Sequence, residues 1–456
     1  MIMRIVMYHS ENSGIGYWRV WNPAKCLRGA GHEVWKFPHD MKGGVPVLKK
    51  DERDDKIPEG QWINSRIGSF ERHGEWGDIF IFQRPLQPIN IAVQAALRKT
   101  YNKPIVAEID DDITSVHPSS PAYKYYRKYD SQDIYETIII PLEDWWKFKD
   151  EKKFTKRIVE QKVNLQEKKM RIVLLKEGMA DCHQVGLDWL KVADAVTVST
   201  QALKELFSKY NKNIYVLPNS IDFQLNETLE KEYRAERPKK EKRDKDEIMI
   251  GWAGGYTHAD DVALIAPAMG IILKKYPNVK FQWTAFKSME LLYLTKEFPG
   301  RVIPIMGVPI NRWVHNFIRQ ELDIGLAPLV DSQFNRGKSN LKFLEHSALK
   351  IPMVLSPVRP YLETVKDGET GFFAKTTEDW VKKISLLVES EELRTRMGNE
   401  AYCDVKRNFN IRDNIYLWEK AYTEIIERFN RESKQDVSPL LMADNVRNES
   451  FSQAYR

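Results

Sequence analysis

The sequence predicts an α/β protein of two doubly wound domains, each a parallel sheet with helices on both faces, joined by a charged linker. Three observations carry this. From residue 4 onward, short apolar runs alternate with segments of helical period. Residues 226–247, which include KEYRAERPKKEKRDKDE, are dense in charge and poor in apolar periodicity. Beyond them the alternation restarts at Ile248. A length of 456 residues fits two or three domains of roughly 100–200 residues each.

The first domain is placed at residues 1–225. Strands are read at 4–8, 32–37, 78–82, 104–109, 195–199 and 213–217, with helices at 19–28, 89–97 and 201–210. Gly29 and Gly31 are stop signals for the first helix. A charged insertion at about 130–178 is read as helical. The linker spans 226–247 and the second domain 248–410. There, strands fall at 248–252, 279–285, 302–305, 323–328 and 352–356, and helices at 259–276, 338–349 and 378–388. Residues 411–430 carry an apolar stripe of Ile415, Leu417, Trp418, Tyr422, Ile425, Ile426 and Phe429, which a helix must bury. Residues 431–456 lack such a stripe and are expected to form a flexible tail.

Composition narrows the function classes. Hydrophobic residues are 42% and charged residues 29%, a folded rather than disordered balance. The longest nearly apolar stretch, 262–273, falls short of the ~20 residues a membrane span needs. Without a signal-peptide core at the N-terminus, the expected location is cytoplasmic. Cys26, Cys182 and Cys403 are too far apart for a zinc module or a disulfide scaffold. The net charge of +6 is concentrated: Lys147 to Lys176 holds eleven Lys/Arg against four Asp/Glu. That segment, with Trp145, Trp146 and Phe148 beside it, is the one support for contact with nucleic acid. A solvated insertion is its plainer reading.

Four stretches carry candidate chemistry. Ser13-Gly14-Ile15-Gly16 follows the first strand, where glycines let a ligand approach the backbone. Arg19, one turn on, either faces an anion or is solvated. Gly254-Gly255-Tyr256-Thr257-His258 follows the first strand of the second domain, where helix-start amides hold phosphate. Residues 331–345 join a strand to a helix and include Lys338, Ser339, Lys342 and Glu345. A continuous helix from 338 would put Lys338, Lys342 and Glu345 on one face. The lysines suit a diphosphate and the carboxylate suits a ribose diol. Finally, Asp110-Asp111-Asp112 ends a strand. Clustered carboxylates there bind a divalent ion, make a general base or cap the next segment.

Taken together, these blocks resemble the GT-B glycosyltransferases of family 4, the family 1-like enzymes that use nucleotide-diphosphate sugars. The resemblance rests on SGIGYWRVWNPAKCLRGAGHEV, EIDDD, ADAVTVST with VLPNSID, IGWAGGYTHADD and DIGLAPLVDSQFNRGKSNLKFLEHSALKIPMVLSP. It covers roughly residues 3–429 apart from the insertion and linker. It implies two Rossmann-like domains facing across a cleft, acceptor on the first and donor on the second, with a last helix crossing back to the first. It also implies retention of anomeric configuration, no metal, and no cofactor beyond the nucleotide sugar.

Donor contacts are expected from Gly254, Gly255, His258, Lys338, Ser339, Lys342 and Glu345, the acceptor or diphosphate loop from Gly14, Gly16 and Arg19, and acceptor positioning from Asp111 and Asp112. Glu345 matches the second Glu of the family's Glu-x7-Glu pair; the first falls on Gly337, a departure from the pattern. The implied acceptor is a glycan, lipid or protein. A transferase acting on nucleic-acid bases and a non-catalytic sugar-nucleotide binder are the alternatives.

Overall fold

The computed structural model describes residues 1–9, 14–38, 73–84, 94, 97–115, 135–144, 158–164, 167–175, 187, 189–236, 246–254, 258–285, 289–308 and 312–433. Among these, two six-stranded parallel sheets and one three-stranded antiparallel sheet form. The first sheet contains β1 (Arg4–His9), β2 (Glu33–Pro38), β3 (Ile79–Gln83), β4 (Ile105–Ile109), β8 (Ala195–Val198) and β9 (Ile214–Val216), in the order β2-β1-β3-β4-β8-β9. β3, β4 and β8 are buried along their whole length. Their near-continuous apolar sequences are what a parallel strand covered on both faces requires.

The second sheet contains β10 (Ile248–Gly254), β11 (Val279–Ala285), β12 (Val302–Ile305), β13 (Ile324–Ala327), β14 (Met353–Leu355) and β15 (Phe372–Phe373). Its order is β12-β11-β10-β13-β14-β15. The order of strand addition reverses between β10 and β13, which run parallel with Ile250 paired to Ile324 and Gly251 to Gly325. Such a switch point opens a crevice beyond the carboxyl ends of the strands. In the first sheet the reversal lies between β1 and β3.

Where the structure describes it, the insertion is mainly β, with one short helical turn at Leu142–Asp144. β5 (Tyr135–Pro141), β6 (Ile158–Asn164) and β7 (Lys169–Leu175) pair antiparallel in the order β5-β7-β6. The charge count led to a helix, but the residues between the charges are Ile, Val and Thr, whose branched Cβ favours strands. Lys168 turns the β6–β7 hairpin with φ at 51°. The Trp145, Trp146 and Phe148 stretch lies outside the described residues. The charged run read as a linker also begins in a helix, Phe223–Glu236. Tyr233 from this helix donates its hydroxyl to Glu321 at 3.1 Å. Residues 237–245 lie outside the described set, as does the tail from 434. No helix among the described residues is long and apolar enough to cross a membrane.

The Ile411–Glu432 helix crosses to the first domain. Trp418, Tyr422, Ile425 and Ile426 share one core with Met3, Ile5, Leu27, Ile79 and Ala195. The crossing is pinned at its start: Ile221 donates to Phe409 O at 2.8 Å, and Ile411 donates to Ile221 O at 2.9 Å. Asp222, 3% exposed, accepts from Lys25 at 2.8 Å and from Arg412 at 2.8 and 3.1 Å. Burial pushes this carboxyl up, but the Arg412 and Lys25 hydrogen bonds outweigh it and hold it below the usual range.

Trp418 is 1% exposed. Trp418→Ala is expected to cost about 3–5 kcal/mol, the scale for truncating a buried aromatic. Chemical denaturation measures it; a loss below about 1 kcal/mol would mean the crossing helix contributes little to the first core.

Candidate functional site

The crevice at the second sheet's switch point is lined from β10, from the loop after β13 and from the helix Leu341–Ser347. Gly254 ends β10. A Cβ there would lie 2.6 Å from Trp252 Cζ2 and 3.0 Å from His258 Cδ2, so only glycine fits. Gly255 lies outside the described residues. His258 caps the helix Ala259–Lys275, and its Nδ1 is 2.6 Å from Asp261 Oδ2.

Burial, with the charges of Lys342 and Lys338, pushes His258 down to about 3 despite Asp261. The ring is therefore neutral. Because Asp261 accepts, the ring hydrogen sits on Nδ1 and Nε2 can only accept. Asp261 Oδ1 also accepts from Val330 N at 2.7 Å and from Asn335 Nδ2 at 3.2 Å. One buried carboxylate thus ties the helix start beyond β10 to the loop beyond β13.

That loop does not run as one helix from 338. Ser332 caps a short helix, Gln333–Gly337; Lys338 is extended, with φ −61° and ψ 157°; the next helix is Leu341–Ser347. Lys338 therefore leaves the helical face it was expected to share with Lys342 and Glu345. Its Nζ lies 4.8 Å from the centre of the Phe334 ring. The break follows from the sequence Gly337-Lys338-Ser339-Asn340, which places a poor helix former and two capping residue types together. Arg336 is exposed and paired with Asp331 at 2.6 and 3.0 Å.

Lys342 and Glu345 remain together on the second helix. Lys342 Nζ donates to Ala253 O at the end of β10, and burial pulls its pKa down to about 8. Glu345 Oε1 accepts from Trp313 Nε1 at 2.7 Å. Burial pushes Glu345 up to about 7, with Lys342 and Trp313 opposing. Trp313 starts the helix Trp313–Arg319 and stacks on Phe317. Nothing in the local sequence signals its role, since the contact spans 32 residues.

The first domain closes over this loop. Asp110 and Asp111 are both held by Arg84, which donates Nε to Asp110 at 2.7 Å and Nη2 to Asp111 at 2.5 Å. Burial, opposed by Arg84, pushes Asp110 up to about 6. Asp112 instead accepts from Thr114 N at 2.8 Å and Ser115 Oγ at 2.5 Å. It also accepts from Gln333 Nε2, in the second domain, at 3.1 Å. Asp110 and Asp111 share Arg84 while Asp112 faces Thr114, Ser115 and Gln333, and the three do not converge as a ligand set. Thr200 Oγ1 donates to Gly337 O at 3.1 Å. A Cβ on Gly337 would lie 3.1 Å from Leu203 Cδ2 and 3.4 Å from Asp112 Cβ. A side chain at position 337 would need Leu203 to give way by a few tenths of an ångström.

Arg19 was read as facing an anion or solvent; it does neither. Its side chain is 1% exposed and grips Glu108 through Nε at 2.7 Å and Nη2 at 2.9 Å. Nη1 donates to Leu217 O at 2.5 Å and to Asn219 Oδ1 at 3.1 Å. Asn219 Nδ2 in turn donates to Ser339 Oγ at 2.8 Å. Gly14 and Gly16 open the helical turn that carries Tyr17 and Arg19. Burial, with the charges of Asp222 and Glu345, pushes the Tyr17 phenol up, which sets Tyr17 within electrostatic range of Glu345. The structure thus brings His258, Ser339, Lys342 and Glu345 to one crevice. It withdraws Arg19 to a supporting role and adds Trp313, Gln333 and Asn219.

Glu345 gives a pH signature with a definite sign. Its folded pKa is above its unfolded value of 4.5, so the native state binds more protons between about 4.5 and 7 and loses stability as pH rises through that window. Glu345→Gln is expected to gain stability relative to the parent at pH 8 and to gain least at pH 5. Urea titrations at both pH values check this; equal effects at the two would remove the burial argument.

Residues 234–404 match the family model described as glycosyl transferases group 1. No curated protein sequence matches the chain. Among solved structures, Anabaena HepE in complex with UDP and glucose is similar at a TM-score of 0.52 and 11% identity, over 94% of this chain and 99% of that one. Sucrose-phosphate synthase from Thermosynechococcus elongatus is similar at 0.53 and 12%, over 95% and 100%. The catalytic domain of starch synthase IV from Arabidopsis thaliana, bound to ADP and acarbose, is similar at 0.54 and 11%, over 94% and 100%. Two parallel sheets meeting across a cleft, with the last helix returning to the first, are the GT-B fold, and residues 234–404 of this chain match the group 1 glycosyl transferases.

Proposed function

We propose that the protein moves a sugar from a nucleotide-diphosphate sugar to an acceptor hydroxyl, with the second domain holding the donor. The observation that carries this is the placing of Lys342 and Glu345 on one helix at the second sheet's switch point, with His258, Lys338 and Ser339 beside them. Glu345 binds the donor ribose. Lys342 and Lys338 meet the diphosphate, and the glycine of Gly254 lets the ligand reach the backbone. The UDP and ADP in the HepE and starch synthase complexes support a nucleotide donor. The acceptor is a glycan, lipid or protein hydroxyl met from the first domain. The basic segment 147–176 folds as strands where it is described and adds no second reading.

The chemistry we propose is metal-independent and retaining. Asp110 and Asp111 are taken up by Arg84. The charge of the leaving diphosphate is then met by lysines held in a low-dielectric cleft, where fixed charges act most strongly. The acceptor oxygen attacks the anomeric carbon from the face the diphosphate leaves, and a departing phosphate oxygen takes the acceptor proton. Asp111 and Asp112 help position the acceptor. Asp112 does so through the closed arrangement, because its oxygens are shared with Thr114, Ser115 and Gln333.

Glu345→Ala is expected to weaken nucleotide-sugar binding by about 1–3 kcal/mol, the scale of a lost hydrogen bond to a charged group. Calorimetry with UDP-glucose and ADP-glucose tests it; unchanged affinity with the fold intact would remove the ribose assignment. Turnover is expected to survive EDTA. Loss of activity on chelation, with recovery on adding Mn²⁺ or Mg²⁺, would overturn the metal-free reading.

A further inference from the structure

Asn219 stands between two groups that together decide which way its amide points. On one side is Arg19 Nη1, 3.1 Å away, and a guanidinium has donors only. The atom facing it is therefore the amide oxygen. The amide nitrogen must then face Ser339 Oγ, 2.8 Å away, and donate to it. Arg19 has no freedom to turn: Glu108 holds it at two nitrogens and Leu217 O holds the third. Glu108 is fixed in turn by Thr197 Oγ1 at 2.6 Å.

A serine hydroxyl has one hydrogen and two lone pairs. Ser339 uses a lone pair for Asn219, so its hydrogen is directed elsewhere. Ser339 lies next to Lys338 in the extended break between the two short helices and is half-buried. A diphosphate presents acceptors only.

We infer that Arg19 and Asn219 are positioning residues that set the hydrogen-bond polarity of Ser339, so that its hydroxyl hydrogen is offered to a phosphate oxygen of the donor. This deepens the donor-site reading and rests on it. The buried ion pair of the first domain thereby acts on a ligand it never touches, across the closed cleft. The relay also couples closure to binding, since Ser339 receives its orientation only when the second domain meets Asn219.

Asn219→Asp separates polarity from shape. The aspartate has nearly the same outline and still accepts from Arg19, but it also accepts from Ser339 and so draws the hydroxyl hydrogen away from the ligand. Calorimetric titration with UDP-glucose and ADP-glucose is the experiment. For the nucleotide sugar that binds the parent protein, Asn219→Asp and Ser339→Ala are each expected to weaken affinity about five- to tenfold, the scale of one such hydrogen bond. The double variant is expected to be no weaker than either single one, and Ser339→Thr to retain binding. The melting temperature of Asn219→Asp without ligand should not fall, because its Arg19 contact is kept.

Parent-like affinity in Asn219→Asp would overturn the relay. So would a further loss when Asn219→Asp is added to Ser339→Ala, since that is direct repulsion of the diphosphate by the new charge. If Glu345→Ala weakens binding while Asn219→Asp does not, the donor site stands and the relay alone falls. If neither nucleotide sugar binds the parent, both fall.

Discussion

Glu108 is an acidic residue in the middle of a parallel sheet, 2% exposed, and much of the first domain is arranged to keep it paired. Leaving such a group without its partner costs about 3–5 kcal/mol. Arg19 supplies both the charge and a fork that matches the carboxylate. To reach it, the helical turn after β1 must lie over the carboxyl end of β4. Leu217 and Asn219, which follow β9, are gathered by the same guanidinium. Strand order, loop path and the approach to the second domain meet at this pair.

Contact between the domains joins an apolar cluster, in which Trp18, Ile221 and Phe223 meet Ala327, Leu329 and Phe343, to a set of specific polar bonds. Gln333 reaches Asp112, Thr200 reaches Gly337 O, Asn219 reaches Ser339, and Arg359 holds Glu205 with two bonds at 2.8 and 3.0 Å. Most of these bonds fall on residues 333–339. The exposed Arg359–Glu205 pair contributes little to stability on its own. The value of the set is geometric: each bond names a partner, so closure has one register. Gly337 belongs to this logic. The absence of a side chain lets the loop lie close against Leu203 and Asp112.

Opposite charges buried side by side set the chemistry of the second domain. Glu345 and Lys342 have pKa values displaced toward neutrality from opposite directions. His258 is kept neutral by burial and by the neighbouring lysines. Burial of this kind disfavours charge on each group, because the dielectric around it is low. The switch point of the sheet places these groups; the buried Asp261 joins the two loops that carry them.

By itself, the sequence determined what depends on local pattern. Apolar strands alternating with amphipathic helices specify two parallel sheets, because a strand covered on both faces must be apolar throughout. The stripe from Ile415 to Phe429 specifies a helix that must bury one side. The Gly-rich turns and the run from Asp331 to Glu345 mark the strand ends at which the donor is proposed to bind. Tertiary structure decided everything carried by pairs distant in the chain. Charge density read as a helix at 130–178, while strand pairing, which depends on a partner, made it β5, β6 and β7. Arg19 looked like a ligand group because its partner Glu108 lies 89 residues away. Lys338 is the exception: its departure from the helix was legible locally in Gly337, Ser339 and Asn340, and the charge spacing with Lys342 and Glu345 masked it. Trp313 had no signal at all and Asn219 stood only within the VLPNSID block, with no role attached: their meaning lies in single hydrogen bonds, to Glu345 and Ser339, that exist only once the fold brings them together.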